Sequence, residues 1–349
     1  MVAKSAQKLI EFLDKHREKI SPLLIMTHDY PDPDAIASAT GLKHLAKKAF
    51  NIRSKIVYQG AIGRMENRTM VEILKLPIQK LKPEELESHE HIALVDTQPA
   101  FENNSFPGNR RATLIIDQHH SETKPVAKCV VIDTDCGATA VIIAQAILRL
   151  KLKIPTTLAT ALAYGIISDT MNLYRANQPD VIRTYLKVIP HCDMKALAKI
   201  QNPVRSRRFF ITLRAGLQNA IANKGLITAH LGEVENPDLV SQVADFLLTY
   251  RRMRKSLCTG RFKGRLHVSL RLDRTTTNAG NILRDIFDNR GEAGGHSAIA
   301  GGSFEVGENA SPEEWENAEE TLIKRLYKRL RVPAREANYY PFRQAVSKT

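Results

Sequence analysis

The chain has few cysteines and few aromatic residues. Its 349 residues include 4 cysteines, which are scattered and form no Cys-x-x-Cys pair. This spacing argues against a disulfide framework or a zinc ribbon. Aromatic residues make up 6% of the chain, which is too few for a long stacking platform along single-stranded nucleic acid. A few stacking side chains in a compact pocket remain compatible with this composition.

Long apolar runs are also missing. The longest, over 138–148 and 157–167, are too short to cross a bilayer. The first twenty residues are charged and amphipathic, unlike a signal peptide. We therefore expect a cytoplasmic protein that does not bind membranes, with an ordinary packed core because 43% of its residues are hydrophobic.

Positive charge is in excess. Lys and Arg number 51 against 37 Asp and Glu, and the formal net charge is +14. Such an excess raises the local concentration of anions and speeds their encounter with the surface. A polyanionic partner is therefore favoured, although a basic surface with no partner would have the same composition.

The first half of the chain alternates helical and strand patterns. Strands that alternate with helices predict an α/β fold, with a parallel sheet covered by helices on both faces. The predicted helices are 5–19, 35–50, 138–150 and 157–168, and the predicted strands are 23–26, 52–58, 92–95, 113–116 and 129–132.

The second half predicts a smaller mixed α/β domain. We expect a catalytic domain over 1–190, a basic helical connector over 191–224 whose longest helix covers 204–222, and a substrate-binding domain over 225–349. Within the last domain the predicted elements are strands at 226–231 and 265–272, helices at 238–255, 278–289 and 312–330, and a glycine-rich loop before the final helix.

Acidic and histidine side chains follow three of the apolar strands. Parallel sheets bind their ligands at the carboxyl ends of the strands, so these side chains are expected to meet. The segment 27–34 alone could be an ordinary Asp- and Pro-rich turn, but clustered carboxylates from several strands require a cation. The side chains are His28, Asp32 and Asp34; Asp96; and Asp117, His119 and His120.

The donors are carboxylates and imidazoles without thiolates. This mixture suits Mn²⁺, Fe²⁺ or Co²⁺ better than a structural zinc ion. Two such ions, roughly 3.5–4 Å apart, can share a bridging carboxylate and a hydroxide, and they can bind phosphoryl oxygens. We therefore expect two divalent ions, with Mn²⁺ preferred.

These motifs resemble those of the DHH phosphoesterases, a superfamily named after an Asp-His-His motif. The first motif has the form His-x-x-x-Asp-x-Asp-x-x-x-Ser, the second and fourth are single aspartates, and the third is the Asp-His-His itself. The resemblance covers roughly residues 5–310. In motif order, the matches are His28, Asp32, Asp34 and Ser38; Asp96; residues 117–120; and Asp169.

The second half resembles the associated domain called DHHA1. Its mark is a glycine-rich loop with a histidine. Glycines let backbone N–H groups approach an anion closely, and the histidine can donate to a phosphate, whereas the alternative is a glycine turn without a ligand. The matching residues are Gly294, Gly295, His296, Gly301 and Gly302.

The resemblance also implies roles for the metal ligands. His28, Asp32 and Asp96 would hold one ion. Asp34, Asp96 and Asp169 would hold the other, so that Asp96 bridges the two. Relatives place polar groups on the substrate side near Arg64, which is equally compatible with a solvated helix start.

The third motif departs from the family pattern. By direct alignment, Gln118 replaces the histidine that binds the second metal, and His119 keeps the role of binding the substrate phosphate. In an alternative alignment, shifted by one residue, His119 binds the metal and His120 binds the phosphate. We call this alternative the one-residue slip. Asp117 would support the adjacent site rather than bind a metal directly.

The resemblance implies hydrolysis of phosphate esters by a metal-activated hydroxide. The leading hypothesis is a metal-dependent hydrolase of short RNA or of 3′-phosphoadenosine 5′-phosphate (pAp), like the bifunctional oligoribonuclease and pAp phosphatase group. Alternatives are a phosphodiesterase for cyclic or linear dinucleotides and a non-catalytic nucleotide-binding protein. The sequence leaves the oligomeric state open, with a homodimer as one option.

Overall fold

The computed structural model describes residues 2–101, 103–176, 178–273, 278–287, 291–296, 298–332 and 338–343. They form two compact units, Met1–Val204 and Arg205–Thr349. The division falls inside the segment for which a connector was predicted. The predicted roles of the two domains are not decided by this division and stay predictions.

The first unit is built on a six-stranded sheet. Its elements are α1 (Val2–His16), β1 (Leu23–Thr27), α2 (Pro33–Phe50), β2 (Ser54–Tyr58), α3 (Met65–Leu74), β3 (Ile78–Lys80), α4 (Pro83–Ser88), β4 (His91–Val95), β5 (Ala112–Asp117), β6 (Ala127–Ile132), α5 (Thr139–Arg149), α6 (Thr156–Asp169), α7 (Pro179–Val188) and α8 (Met194–Gln201). The strands are parallel and lie in the order β3-β2-β1-β4-β5-β6. The predicted α/β class with a parallel sheet is confirmed.

Both faces of this sheet are buried, but unequally. Alternate strand residues such as Ile25 and Ile116 pack into a large core with α1, α2, α5 and α6. Their neighbours Leu24 and Leu94 face a smaller core that includes Leu86 of α4. Burial on both faces explains why the strands read as continuous apolar runs in the sequence. No described helix is long and apolar enough to span a membrane.

The direction in which the sheet grows reverses at β1. The chain adds β2 and β3 on one side of β1, then crosses over and adds β4, β5 and β6 on the other side. In open α/β sheets such a reversal opens a crevice at the carboxyl ends of the two strands beside it. Here those strands are β1 and β4, and the polar residues of the first two motifs follow them directly.

The second unit contains a mixed sheet with helices. Its elements are α9 (Arg207–Gln218), β7 (Ile221–Asn223), β8 (Leu226–Glu233), α10 (Asp238–Leu248), β9 (Lys255–Phe262), β10 (Arg265–Leu272), α11 (Ala279–Phe287), β11 (Gly291–His296), β12 (Ile299–Glu305) and α12 (Pro312–Leu330). The strand order is β11-β12-β10-β9-β8-β7, and only β8 and β9 are parallel. Helices α11 and α12 pack on one face, and α9 and α10 on the other.

One predicted helix of the second unit is partly wrong. The helix expected over 238–255 ends at Leu248, and 255–262 form strand β9. Leu257 and Cys258 are fully buried there. Because β9 pairs with strands on both sides, the backbone hydrogen bonds of the sheet outweigh the helical pattern that was predicted to continue to residue 255.

Two further predictions also change. The basic stretch over 204–222 is helical only in α9, and its last residues enter β7. The glycine-rich segment forms the paired strands β11 and β12 rather than a loop. β12 is also hydrogen-bonded to β10, and this pairing compensates for the conformational entropy that glycine loses on folding.

Candidate metal centre

His28 lies in the loop after β1 and is almost fully buried. Its Nδ1 is 2.8 Å from the carbonyl oxygen of Asp29. Because a carbonyl only accepts, Nδ1 carries the proton and Nε2 is the nitrogen available to a ligand. Nε2 is 3.8 Å from an oxygen of Asp32 and 3.8 Å from an oxygen of Asp96. These three side chains form a group whose ligand atoms can meet at one ion.

The charges around His28 favour its protonated form when no metal is bound. Burial lowers the pKa of His28, but the hydrogen bond to Asp32 and the charges of Asp32 and Asp96 outweigh it and raise the pKa to about 9. A metal ion binds only the deprotonated nitrogen, so it would have to displace this proton.

Asp96 directly follows β4 and is buried. One carboxylate oxygen accepts a hydrogen bond from the Thr139 hydroxyl at 2.8 Å. The other, Oδ2, is buried without a hydrogen-bond partner among the described residues. Burial, followed by repulsion from Asp32, raises the pKa of Asp96 to about 6. An unpartnered buried carboxylate oxygen is costly, and this oxygen among imidazole and carboxylate donors fits a divalent cation.

Asp34 lies in the first turn of α2 and is fully buried. Its two oxygens accept hydrogen bonds from the backbone N–H groups of Thr139, at 2.6 Å, and Ala140, at 2.8 Å. These N–H groups begin α5, whose own N-cap residue, Ala138, provides no capping side chain. Burial and then repulsion from Asp96 raise the pKa of Asp34 well above its usual value. Asp34 thus joins α2 to α5 beside Asp96.

Asp117 ends β5 and is fully buried. Its Oδ2 accepts a hydrogen bond from Gln98 at 2.7 Å. Its Oδ1 accepts from the backbone N–H of Gln118 at 2.8 Å and lies 2.8 Å from Nδ1 of His119. Both oxygens are therefore engaged, and Asp117 orients the His119 ring.

The two candidate ligands for the second metal in the third motif, Gln118 and His119, lie at the same site. The side-chain amide of Gln118 donates to Asp169 at 2.9 Å, and Nδ1 of His119 lies 3.7 Å from Asp96. Burial lowers the pKa of His119, but the hydrogen bond to its carboxylate partner and the charge of Asp96 raise it to about 10. Burial and neighbouring aspartates raise the pKa of Asp169 well above its usual value. His120 is exposed.

Arg64 lies at the start of α3 and is exposed. Burial and then the charge of Glu66 raise the pKa of Tyr164 to about 12, whereas the charge of Arg64 lowers it. The charge of Asp32 also acts on Tyr164. The carbonyl oxygen of Arg64 accepts from the N–H of Asn67 at 3.1 Å, and the Asn67 side chain donates to the carbonyl oxygen of Pro31 at 3.5 Å, so the start of α3 lies beside the first motif.

The predicted glycine motif lies in the second unit. The backbone of His296 pairs with Ile299 at the end of the β11–β12 hairpin, but its side chain lies outside the described part of the structure. Gly295 has φ of 148°, and a Cβ atom there would lie 2.3 Å from the carbonyl oxygen of Ile299. This position therefore requires glycine. The other glycines of the motif, in the same two strands, are Gly294, Gly301 and Gly302.

Sequence reasoning missed three residues of this site. Thr139 contacts Asp96, Gln98 contacts Asp117, and Tyr164 is affected by the charge of Asp32. Thr139 follows β6, so the rule that ligands gather after parallel strands could have found it. The same rule also points to Gln98, which lies three residues after β4, whereas no sequence pattern indicates Tyr164 within α6.

Comparison with known proteins adds an independent finding. Residues 22–166 match the family model described as the DHH family, N-terminal domain. A protein of Methanocaldococcus jannaschii is 34% identical over 291 residues, which make up 83% of this chain and 59% of that protein. The chain therefore spans less than two thirds of that relative.

Two other relatives have names that state an activity. A probable manganese-dependent inorganic pyrophosphatase of Streptococcus equi subsp. zooepidemicus is 27% identical over 164 residues, 44% of this chain and 50% of that protein. A bifunctional oligoribonuclease and PAP phosphatase of Thermus thermophilus is 27% identical over 220 residues, 61% of this chain and 64% of that protein.

A solved structure shares the fold. The crystal structure of an exopolyphosphatase-related protein from Bacteroides fragilis has a TM-score of 0.71 and 17% identity, covering 93% of this chain and 97% of that chain. The family match covers the three strands whose ends carry the candidate ligands. Residues 22–166 are therefore similar to the N-terminal domain of the DHH family, whose motifs the sequence resembles.

Proposed function

We propose that this protein is a divalent-metal-dependent phosphoesterase that hydrolyses short oligonucleotides, pAp, or both. The observation that carries the proposal is the convergence of carboxylates on Asp96, whose buried Oδ2 has no described hydrogen-bond partner. The name of the Thermus thermophilus relative supports this substrate class, and the chain's excess of positive charge suits polyanionic substrates.

Two divalent ions, preferably Mn²⁺, would be held by these side chains. Bound there, they would lower the pKa of a coordinated water and neutralise charge on the phosphoryl oxygens. The buried carboxylates have raised pKa values because they are desolvated and repel one another, which is the electrostatic situation that cations relieve. One site would consist of His28, Asp32 and Asp96, and the other of Asp34, Asp96, Asp169 and Gln118.

His119 would bind the substrate phosphate. Its Nδ1 is engaged by Asp117, so Nε2 is left to donate to a phosphoryl oxygen. In the metal-free protein the hydrogen bond to Asp117 and the charge of Asp96 outweigh burial and raise the pKa of His119 to about 10. A ring that stays protonated would donate a charge-assisted hydrogen bond to phosphate, which is stronger than a neutral one. Asp117 contributes by fixing the orientation of the ring.

We favour the direct alignment over the one-residue slip. Gln118 contacts Asp169, which belongs to the second proposed metal site. His119, Asp96 and Asp117 also form a group with metal-ligand spacing, but Nδ1 of His119 is already engaged by Asp117 at 2.8 Å. The contact of Gln118 with Asp169 is therefore the observation that favours the direct alignment.

Dinucleotide phosphodiesterase activity and non-catalytic nucleotide binding are the competing functions. A comparison of kcat/KM with Mn²⁺ separates them, using pAp, a 5′-phosphorylated dinucleotide, a cyclic dinucleotide, a longer RNA and pyrophosphate. We expect pAp or the linear dinucleotide to be preferred at least about tenfold, and all activity to disappear in EDTA. A preference for the cyclic dinucleotide would favour the first competitor, and Mn²⁺ binding without any hydrolysis would favour the second.

A further inference from the structure

One end of the second sheet carries a basic and aromatic surface that the proposed chemistry does not use. Its basic residues lie in the turn between β7 and β8 and in the segment between α10 and β9, and its tyrosines follow α12 in the chain. All six residues are exposed. We call them the Arg-Tyr surface: Lys224, Arg251, Arg252, Arg254, Tyr339 and Tyr340.

Backbone hydrogen bonds hold the two basic segments together. The N–H groups of Arg254 and Lys255 both donate to the carbonyl oxygen of Gly225, at 2.7 and 3.0 Å. A Cβ atom on Gly225 would lie 3.5 Å from the carbonyl oxygen of Arg252. The turn that carries Lys224 and the segment that carries the arginines are therefore neighbours.

The tyrosines are attached to the same end of the sheet. Tyr339 forms two backbone hydrogen bonds with Ala222 of β7, at 2.9 and 3.0 Å. Phe342 anchors the segment, with its ring 4.9 Å from that of Tyr250. Tyr339 and Tyr340 remain 46% and 45% exposed. The guanidinium of Arg343 lies over one face of the Tyr340 ring, 3.7 Å from its centroid, so a base would stack on the other face.

The described part of the chain provides no acidic partner for these basic side chains. Within the residues that the structure describes, Lys224, Arg251, Arg252 and Arg254 form no salt bridge. The backbone hydrogen bonds between Tyr339 and Ala222 place this tyrosine beside the turn that carries Lys224. Four cations without carboxylate partners attract a polyanion, because each phosphate contact releases a condensed counterion.

The Arg-Tyr surface lies at the same end of the sheet as the glycine hairpin. Asp273 donates its N–H to the carbonyl oxygen of Arg254 at 2.9 Å, and Leu272 donates to that of Ala298 at 2.8 Å. The start of β9, the end of β10 and the β11–β12 turn are therefore adjacent. At about 4.8 Å per strand, the distance from β12 to β7 is about 19 Å, which requires a ligand longer than a dinucleotide.

We propose that the Arg-Tyr surface binds single-stranded nucleic acid. The four cations contact successive phosphates, and Tyr339 and Tyr340 stack on bases. Stacking on aromatic rings tolerates any base, because every base has a flat face. This inference rests on the proposed function for the hydrolysis itself. It extends the proposed substrates from dinucleotides to longer strands.

Binding is tested with the full-length protein in EDTA, by fluorescence anisotropy of labelled oligo(U) of about twelve nucleotides. We expect R251A/R252A to weaken binding at least about tenfold and to reduce the salt slope of the logarithm of affinity by about 1.4, which is roughly 0.7 per phosphate contact. Y340A should weaken binding about fivefold and leave the salt slope unchanged. The matched control is R17A/R183A, which removes two exposed arginines of the first unit.

Two results would overturn the inference. One is unchanged oligo(U) affinity and salt slope in R251A/R252A, and the other is competition by polyglutamate as effective as that by unlabelled oligo(U), since polyglutamate offers no bases. With Mn²⁺, R251A/R252A should lower kcat/KM more for a strand of about twelve nucleotides than for a dinucleotide, because only the longer strand can span the end of the sheet from β12 to β7. Intact strand binding without hydrolysis of any substrate would remove the proposed function but leave this inference.

Discussion

Asp96 adopts a left-handed backbone conformation, with φ of 60°, immediately after β4. Aspartate tolerates this region better than most residues. The backbone N–H still donates to the carbonyl oxygen of Ile116 at 2.9 Å, so the residue belongs to the sheet while its carboxylate contacts Thr139. A single side chain is thereby placed among candidate ligands from β1, β5 and α6.

Replacement of Asp96 tests the metal centre at the residue scale. We expect Asp96→Ala to lower kcat at least about a thousandfold and to reduce bound Mn²⁺, because a carboxylate shared by both proposed sites is lost. The metal-free protein should keep its fold, since the variant also removes a buried, repelled charge. Activity, metal content and thermal unfolding provide the measurements. Asp135→Ala, at an exposed aspartate after β6, is the control, and more than a tenth of wild-type kcat in Asp96→Ala would contradict the shared-carboxylate hypothesis.

Replacement of Gln118 tests which residue of the third motif binds the second metal. If its amide lies at the second metal, Gln118→His should tighten Mn²⁺ binding about tenfold, because imidazole is a better ligand for divalent transition metals than an amide oxygen. Titration of Mn²⁺ by calorimetry measures the change. Unchanged affinity, together with a large increase in KM for His120→Ala, would favour the one-residue slip instead.

The conformation of the β11–β12 hairpin depends both on its glycines and on its pairing with a neighbouring strand. The glycines indicate a segment where the backbone approaches something closely, but they do not indicate a strand. Pairing of β12 with β10 makes the segment a strand. The close approach at Gly295 is to the chain itself, since the nearest atom to an added Cβ would be the carbonyl oxygen of Ile299.

Two neighbouring glycines of this hairpin form a matched pair of variants. Gly295→Ala should destabilise the protein by about 2 kcal/mol, because it combines a positive φ with a backbone clash. It should also raise KM for a dinucleotide at least about tenfold if the hairpin binds substrate. Gly294→Ala should change little, since no atom lies within 4 Å of its added Cβ. Denaturant unfolding and steady-state kinetics measure both effects, and similar values for the two variants would contradict this interpretation.

At the scale of the whole molecule, the metal centre couples stability to pH. In the metal-free protein the pKa values of His28 and His119 are raised from 6.5 to about 9 and about 10. A raised pKa means that the folded state binds the proton more tightly than the unfolded chain. The stabilisation is therefore complete below pH 6.5 and is lost as the pH rises through the folded pKa.

The increase in unfolding temperature that metal produces should depend on pH. In EDTA, Tm should fall as the pH rises from about 6.5 to about 9. With saturating Mn²⁺, the increase in Tm over EDTA should grow with pH, because the metal binds only deprotonated ligands. Thermal scans across this range measure both trends. A metal-induced shift that is independent of pH would contradict a centre built on His28.

Local sequence patterns were sufficient to predict the class of the fold and to select the candidate ligands. Both depend on local patterns: apolar runs buried on two faces, helices with a regular apolar spacing, and polar residues placed directly after the runs. The first motif, over 28–34, and the aspartate at 96 could be found in this way because each is set by the few residues before it.

The order of the strands and the contacts at their ends are visible in the tertiary structure but not in local sequence patterns. The placement of β1 beside β4 joins residues about seventy positions apart, and the contacts of Asp34 with Thr139 and Ala140 span more than a hundred. Strand β9 and the glycine hairpin were predicted wrongly for the same reason, since pairing with distant strands outweighs local propensity. Local periodicity is encoded in neighbouring residues, whereas strand order depends on how the complete set of apolar faces is buried.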